Sequence, residues 1–157
     1  MFRKMRRINR EISHEDTKAL LEKEKRGVLS VNGDDGYPFA FPINFLYEEG
    51  EGKIYFHGAK EGYKVDSLKE NDKVCFTVFG NEHFKEGEWA PYVQSAVVFG
   101  RCRLIDDREL TAFKIRLLAE KYFPSKDEIE AEMASVGRAQ LYEITIEHMT
   151  GKQIKER

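Results

Sequence analysis

The residues best placed to do chemistry lie in Lys53–Leu68, KIYFHGAKEGYKVDSL. Ile54 and Phe56 alternate with Tyr55 and His57, the two-residue period of a half-buried strand. Gly58 and Gly62 then bracket a turn carrying Lys60, and Lys64 follows one helical turn later, so that two ammonium groups can share a face. Free backbone N–H groups at a helix start, two lysines and little side-chain bulk make a receptor for a phosphate group. A solvated turn with surface lysines has the same composition, and this stretch alone leaves both readings open.

Other chemistry is sparse. Four histidines, at 14, 57, 83 and 148, show neither HExxH nor any paired spacing, so no metal site is expected. Cys75 and Cys102 sit inside apolar strand patterns, far from CxxC spacing, and read as small buried thiols. No carboxylate pair and no nucleophile elbow stands out.

The elements that must position Lys53–Leu68 are mostly strands. Ser13, with Glu15 and Asp16 behind it, opens a helix predicted to end at Gly27. Val28–Asn32 is a short strand, and Asn32–Gly36 an Asx- and glycine-rich hairpin turn. Tyr37–Tyr47 returns as one strand, with Tyr37, Phe39, Phe41, Ile43 and Phe45 on one face and Pro38 and Pro42 on the other, as near an edge or bulge. Further strands are predicted at Lys73–Phe79 and at Val93–Ile105, the latter apolar on both faces over Ala96–Phe99, as if one face met a barrel interior and the other a second subunit. Asp107–Tyr122 is a helix with Leu110, Phe113, Leu117 and Leu118 as its apolar stripe, and Ser125–Ala134 is a shorter one. The last strand, Gln140–Met149, carries Tyr142, Ile144, Ile146 and His148 on one face, where a lone histidine is a structural residue. Short strands, tight turns and few helices predict a mainly β fold with peripheral helices, an antiparallel barrel with Greek-key connections.

At 157 residues, 1–157 forms one domain, with 1–12 as a basic arm bearing Arg3, Lys4, Arg6, Arg7 and Arg10. The net charge is −2, so no general basic field recommends a nucleic acid as partner. No apolar run is long enough for a membrane span, the charged start lacks the apolar region of a secretory signal, and a reduced, cytoplasmic protein is expected.

The stretches MRRINREI, GYPFAFPINFLYE, IYFHGAKEGYKVDSL, KVCFTV, YVQSAVVFGRCRLI and IEHMTGK, in this order and spacing, resemble the FMN-binding split-barrel proteins related to pyridoxamine 5′-phosphate oxidase. Among them the resemblance is strongest to the 5-nitroimidazole reductase, or nitroimidazole-resistance, branch. It implies a six-stranded antiparallel split β-barrel and a homodimer with FMN at the subunit interface. It further implies that Pro42, Ile43, Asn44 and Phe45 lie along the isoalloxazine ring. His57, Gly58 and Ala59 fall beside the ribityl chain, and Lys60 and Lys64 at the phosphate. Gln94, Ser95 and Val97 approach the flavin from one of the two subunits, and His148, Thr150, Gly151 and Lys152 close the cofactor edge. Gln94 departs from the pattern, standing where many relatives have arginine, so a charged contact there is in doubt. His57 is the candidate to act on substrate, or else to hydrogen-bond the cofactor without exchanging a proton. Phe84, Trp89 and Tyr92, in a predicted loop from Gly80 to Tyr92, either line a substrate pocket or pack on the second subunit.

The expected function is therefore FMN-dependent reduction of a small acceptor of the nitroimidazole type, with a nicotinamide nucleotide as electron donor. The alternatives are a non-catalytic flavin- or haem-binding sensor or carrier, a barrel that takes a deazaflavin, and a true pyridoxamine 5′-phosphate oxidase. The last is disfavoured because the chain lacks the arginine- and histidine-rich C-terminal segment expected to hold that substrate.

Overall fold

The computed structural model describes the whole chain, Met1–Arg157. Seven strands form one antiparallel sheet: β1 (Arg26–Asn32), β2 (Pro38–Asn44), β3 (Leu46–Glu48), β4 (Lys53–Gly58), β5 (Lys73–His83), β6 (Tyr92–Ile105) and β7 (Gln140–Lys155). Their order across the sheet is β2-β1-β5-β6-β7-β4-β3. Four helices, α1 (His14–Lys23), α2 (Tyr63–Glu70), α3 (Arg108–Tyr122) and α4 (Lys126–Met133), lie around it. None is long and apolar enough to cross a membrane.

The strand order itself forces the sheet to curl. β2 and β3 are its two edges, yet only Phe45 separates them in the chain. Two Cα steps span at most about 7 Å, whereas six flat strand spacings would hold the edges about 29 Å apart. The sheet therefore closes on itself into a half-open barrel with its seam at Phe45. Expecting six strands counted Tyr37–Tyr47 as one. The chain instead bends at Phe45, β2 pairing with β1 and β3 with β4. The bend is held from α3: the Phe45 N–H donates to the Tyr122 hydroxyl (2.8 Å), and the Phe45 carbonyl accepts from Lys121 Nζ (2.9 Å).

Inside the barrel pack Leu29, Val31, Phe45, Ile54, Phe56, Phe76, Val78, Ala96, Val98, Tyr142 and Ile144, with Leu20 and Leu21 of α1 and Val65 and Leu68 of α2 as covers. A second cluster, Tyr55, Ile105, Ile115 and Leu141, joins the back of β4 and β7 to α3. Here the predicted stripe of α3 is rotated. Phe113 is exposed, while Ile115, Leu118 and Ala119 are buried and Lys114 is drawn in by Glu51 (2.6 Å).

Several boundaries move for local reasons. The Ser13 hydroxyl accepts from the Asp16 N–H (3.0 Å) and starts α1 as expected. The helix then stops at Lys23 rather than Gly27, because Glu24 is already extended and gives its carbonyl to Lys121 (2.9 Å), and Arg26 pairs with Asn44. Gly27 is thus a strand residue, and a Cβ there would run into the Phe76 ring. β5 continues to His83 through an irregularity at Asn81 (φ +51°), which shortens the expected loop to Phe84–Pro91. β7 continues to Lys155, so Thr150–Lys152 are strand residues. A bulge separates the pair Phe99–His148 from the pair Gly100–Ile146, leaving Glu147 unpaired. It reverses the alternation: Ile144 and Ile146 pack with the interior, but His148 turns to the outside, contrary to the single face predicted for them.

Candidate functional site

Directly opposed residues of an antiparallel ladder share a face. Pro42, Val28, Thr77, Val97 and Thr150 form one such row across five strands, and Ala40, Ser30, Cys75, Phe99 and His148 form the next. Their neighbours Leu29, Phe76 and Val98 are interior, so both rows lie on the outside of the barrel. The face is apolar enough to need cover: Phe79 and Phe99 are exposed on it.

Expected site residues gather at the two ends of this face, about 19 Å apart along the sheet. At the β2 end, Arg26, Pro42, Ile43, Asn44, His57 and Lys64 line an open cleft of about 400 Å³. At the β7 end, Ser95, Val97, Phe99, His148, Thr150 and Lys152 line a pocket of about 240 Å³ with Arg3 and Met5 of the N-terminal arm. The arm lies on that patch, with the Phe2 ring parallel to the His148 ring at 4.7 Å and over Phe99 at 5.4 Å.

The cleft is built around uncompensated positive charge. Lys64, on the first turn of α2, has its Nζ 4.5 Å from the Phe41 ring centroid and makes no ion pair. Burial pushes its pKa below the usual lysine value, with only Cys102 opposing. An ammonium partly withdrawn from water without a counter-ion favours arrival of an anion. Arg26, on the same cleft, also lacks an acidic partner. A Cβ on Gly58 would lie 3.4 Å from Lys64 Nζ, in ordinary van der Waals contact, so the backbone of this turn passes close beside that ammonium. Ala59, whose carbonyl accepts from the Tyr142 hydroxyl (2.6 Å), pins the same turn to the barrel.

His57 closes the other side. Its Nε2 is 3.8 Å from the Glu132 carboxylate of α4. Burial lowers the imidazole pKa, the Glu132 charge works against that, and Lys64 adds to the lowering. A crevice behind the cleft runs from Asn44 and His57 to Tyr122 and Glu132.

Four expected residues fall elsewhere. Phe45 is wholly buried in the barrel, T-shaped against Phe76. Gln94 has the opposite strand parity from Ser95 and Val97. It faces α1, accepting from Asn81 (3.0 Å) and donating to Gln153 (3.1 Å). Lys60 precedes α2, so the helical spacing to Lys64 does not hold, and it lines a separate cavity with Arg108. Gly151 lies under α1, where a Cβ would strike Thr17. Trp89 and Phe84 are exposed. Sequence reasoning missed Arg26, hidden in the supposed helix end, and Glu132, hidden in a short helix without any site pattern. The cross-strand register that joins Arg26 to Asn44 is the signal for the first.

Residues 13–153 match the model of the pyridoxamine 5′-phosphate oxidase family. The chain belongs to this family. Similar structures agree with the split-barrel fold. A candidate 5-nitroimidazole antibiotic resistance protein from Bacteroides thetaiotaomicron superposes with a TM-score of 0.79 at 22% identity, covering 92% of this chain and 87% of its own. An FAD-binding protein from Mesorhizobium loti gives 0.66 at 20% identity, covering 92% and 97%. The FAD and haem binding protein from Mycobacterium smegmatis gives 0.70 at 19% identity, covering 92% and 72%. No curated protein matches the chain.

Proposed function

We propose that this member of the pyridoxamine 5′-phosphate oxidase family is a homodimeric flavoprotein, binding FMN non-covalently and passing electrons from a nicotinamide nucleotide to a small acceptor. The observation that carries the reading is the division of one outer face into two half-sites. The β2 end has free cations in an open cleft of about 400 Å³, and the β7 end has an aromatic and hydroxyl-bearing patch around a smaller pocket of about 240 Å³. A second copy docked on this face sets the Ser95–Lys152 patch of one protomer over the Arg26–Lys64 cleft of the other.

Lys64 and Arg26 would hold the phosphate by charge-assisted contacts, and Pro42–Asn44 would lie along the ring. The flavin, when bound, supplies the electron or hydride transfer. The chain's own part is to position it, exclude water and handle the proton. His57 is the histidine of that cleft, and burial lowers its imidazole pKa, which favours the neutral form. A neutral imidazole there accepts a proton or a hydrogen bond, and the protons that accompany electrons to the acceptor come from solvent. The structural neighbour associated with nitroimidazole resistance makes a 5-nitroimidazole the first acceptor to try.

Anaerobic reduction of the FMN-loaded protein by NADH or NADPH, followed by reoxidation with a 5-nitroimidazole, tests the reading. Reduction and reoxidation faster than those of free FMN support it; a flavin that stays oxidised contradicts turnover and leaves a carrier. The Mycobacterium smegmatis neighbour that binds FAD and haem supports the second reading, a flavin- or haem-binding carrier. Haem titration decides it, since a haem held by the protein gives a Soret band shifted from that of free haem.

A further inference from the structure

A cavity of about 530 Å³ lies apart from the outer face described above. It lies between the Ala59–Gly62 turn, the start of α3 and the turn at Val136–Arg138. Its volume falls within the roughly 300–1,000 Å³ of small-molecule sites. Lys60 and Arg108 stand on its rim, and neither has a carboxylate within ion-pair distance. Gln140 lines it while only 8% exposed. That side chain is fixed, because its Nε2 donates to the carbonyls of Ile105 (2.8 Å) and Leu141 (2.9 Å). Both amide hydrogens are thereby used, and Oε1 accepts no hydrogen bond from the protein. Ile105, Val136 and Ala139 give the same cavity an apolar wall.

We infer that this cavity binds a nucleoside 5′-phosphate whose base carries an exocyclic amino group. The phosphate lies between Lys60 and Arg108, which as unpaired cations of different elements can contact two of its oxygens. The base lies on Ile105, Val136 and Ala139, and its amino group donates to Gln140 Oε1. Asp106, on the same rim, accepts from the ribose hydroxyls. It also leaves a net of one positive charge from these three ionised groups, which disfavours a polyphosphate. Adenylate satisfies each requirement. It can arrive as the free mononucleotide or as the adenylate half of a dinucleotide, whether the nicotinamide donor or a longer flavin. Lys60 stands four residues before Lys64 in the segment that links this cavity to the cleft. The site does not depend on the flavin reading.

Isothermal titration calorimetry on the full chain, with AMP as the probe, tests the assignment. AMP is expected to bind, inosine monophosphate, which lacks the amino group, more weakly, and the variant Lys60→Gln/Arg108→Gln to lose roughly tenfold or more in AMP affinity. FMN affinity stays unchanged in that variant, because neither residue lines the cleft. Absence of AMP binding, or equal AMP affinity in the variant, overturns the site. FAD binding tighter than FMN, with the advantage lost in the variant, assigns the dinucleotide flavin as the source. NADH binding to the FMN-loaded protein that weakens in the variant assigns the donor instead, and AMP binding without either assigns the free nucleotide. A chain that binds AMP but refuses FMN would keep this site and sink the flavin reading.

Discussion

Lys64 is the residue on which the flavin account rests most heavily. Its ammonium is partly buried, lies over the Phe41 ring and has no acidic partner, so its burial cost is unrelieved until an anion arrives. Lys64→Ala is expected to weaken FMN binding by about 1.5–3 kcal/mol, roughly ten- to hundredfold in Kd, in a fluorescence titration. The same substitution should leave folding intact, since it removes an uncompensated charge. At His57, burial lowers the imidazole pKa and Glu132 partly restores it. Glu132→Gln should therefore move the pKa further down, measured from the imidazole proton shifts in an NMR titration of the flavin-free protein. The sign for stability follows from the same direction. With the folded pKa below the ordinary 6.5, the contribution of His57 is complete above pH 6.5 and is lost as pH falls through the lowered value.

At the scale of elements, the bend at Phe45 converts one predicted strand into two and closes the barrel. The Tyr122 hydroxyl that receives the Phe45 N–H comes from the far end of α3, 77 residues away in the chain. Tyr122→Phe leaves that N–H without its partner, and we expect a loss of about 1–3 kcal/mol, a few degrees in Tm by calorimetry. FMN affinity should fall with it, because Asn44 and Ile43 reach the cleft from the adjoining end of β2. Most strands were legible in the sequence, since alternation and turn residues at Asn32–Gly36 and Glu48–Gly52 act locally. The Phe45 break was not, because its cause is a distant side chain. Nor was the outward turn of His148, which follows from an unpaired Glu147 that alternation alone does not reveal. Lys64 was read from its turn, and Pro42, Asn44 and the role of His57 came through the resemblance; all four converge on one cleft. Gln94 came with the resemblance and Lys60 with the turn, and strand parity and the late start of α2 set them apart.

For the molecule as a whole, the claim is that one chain holds two halves of different sites. The rows through Val97 and Phe99 separate them, and a second copy would cover these rows. A buried arginine placed there by Val97→Arg should convert the protein from dimer to monomer in sedimentation velocity and abolish tight FMN binding in the same step. A monomer that still binds FMN tightly would show that one cleft suffices. The most direct test of the central claim is an FMN titration of the purified protein, followed by flavin fluorescence and by the absorption that remains after dialysis. The account predicts quenched, retained flavin at one FMN per chain, two per dimer. A protein that remains colourless after incubation with FMN would contradict it.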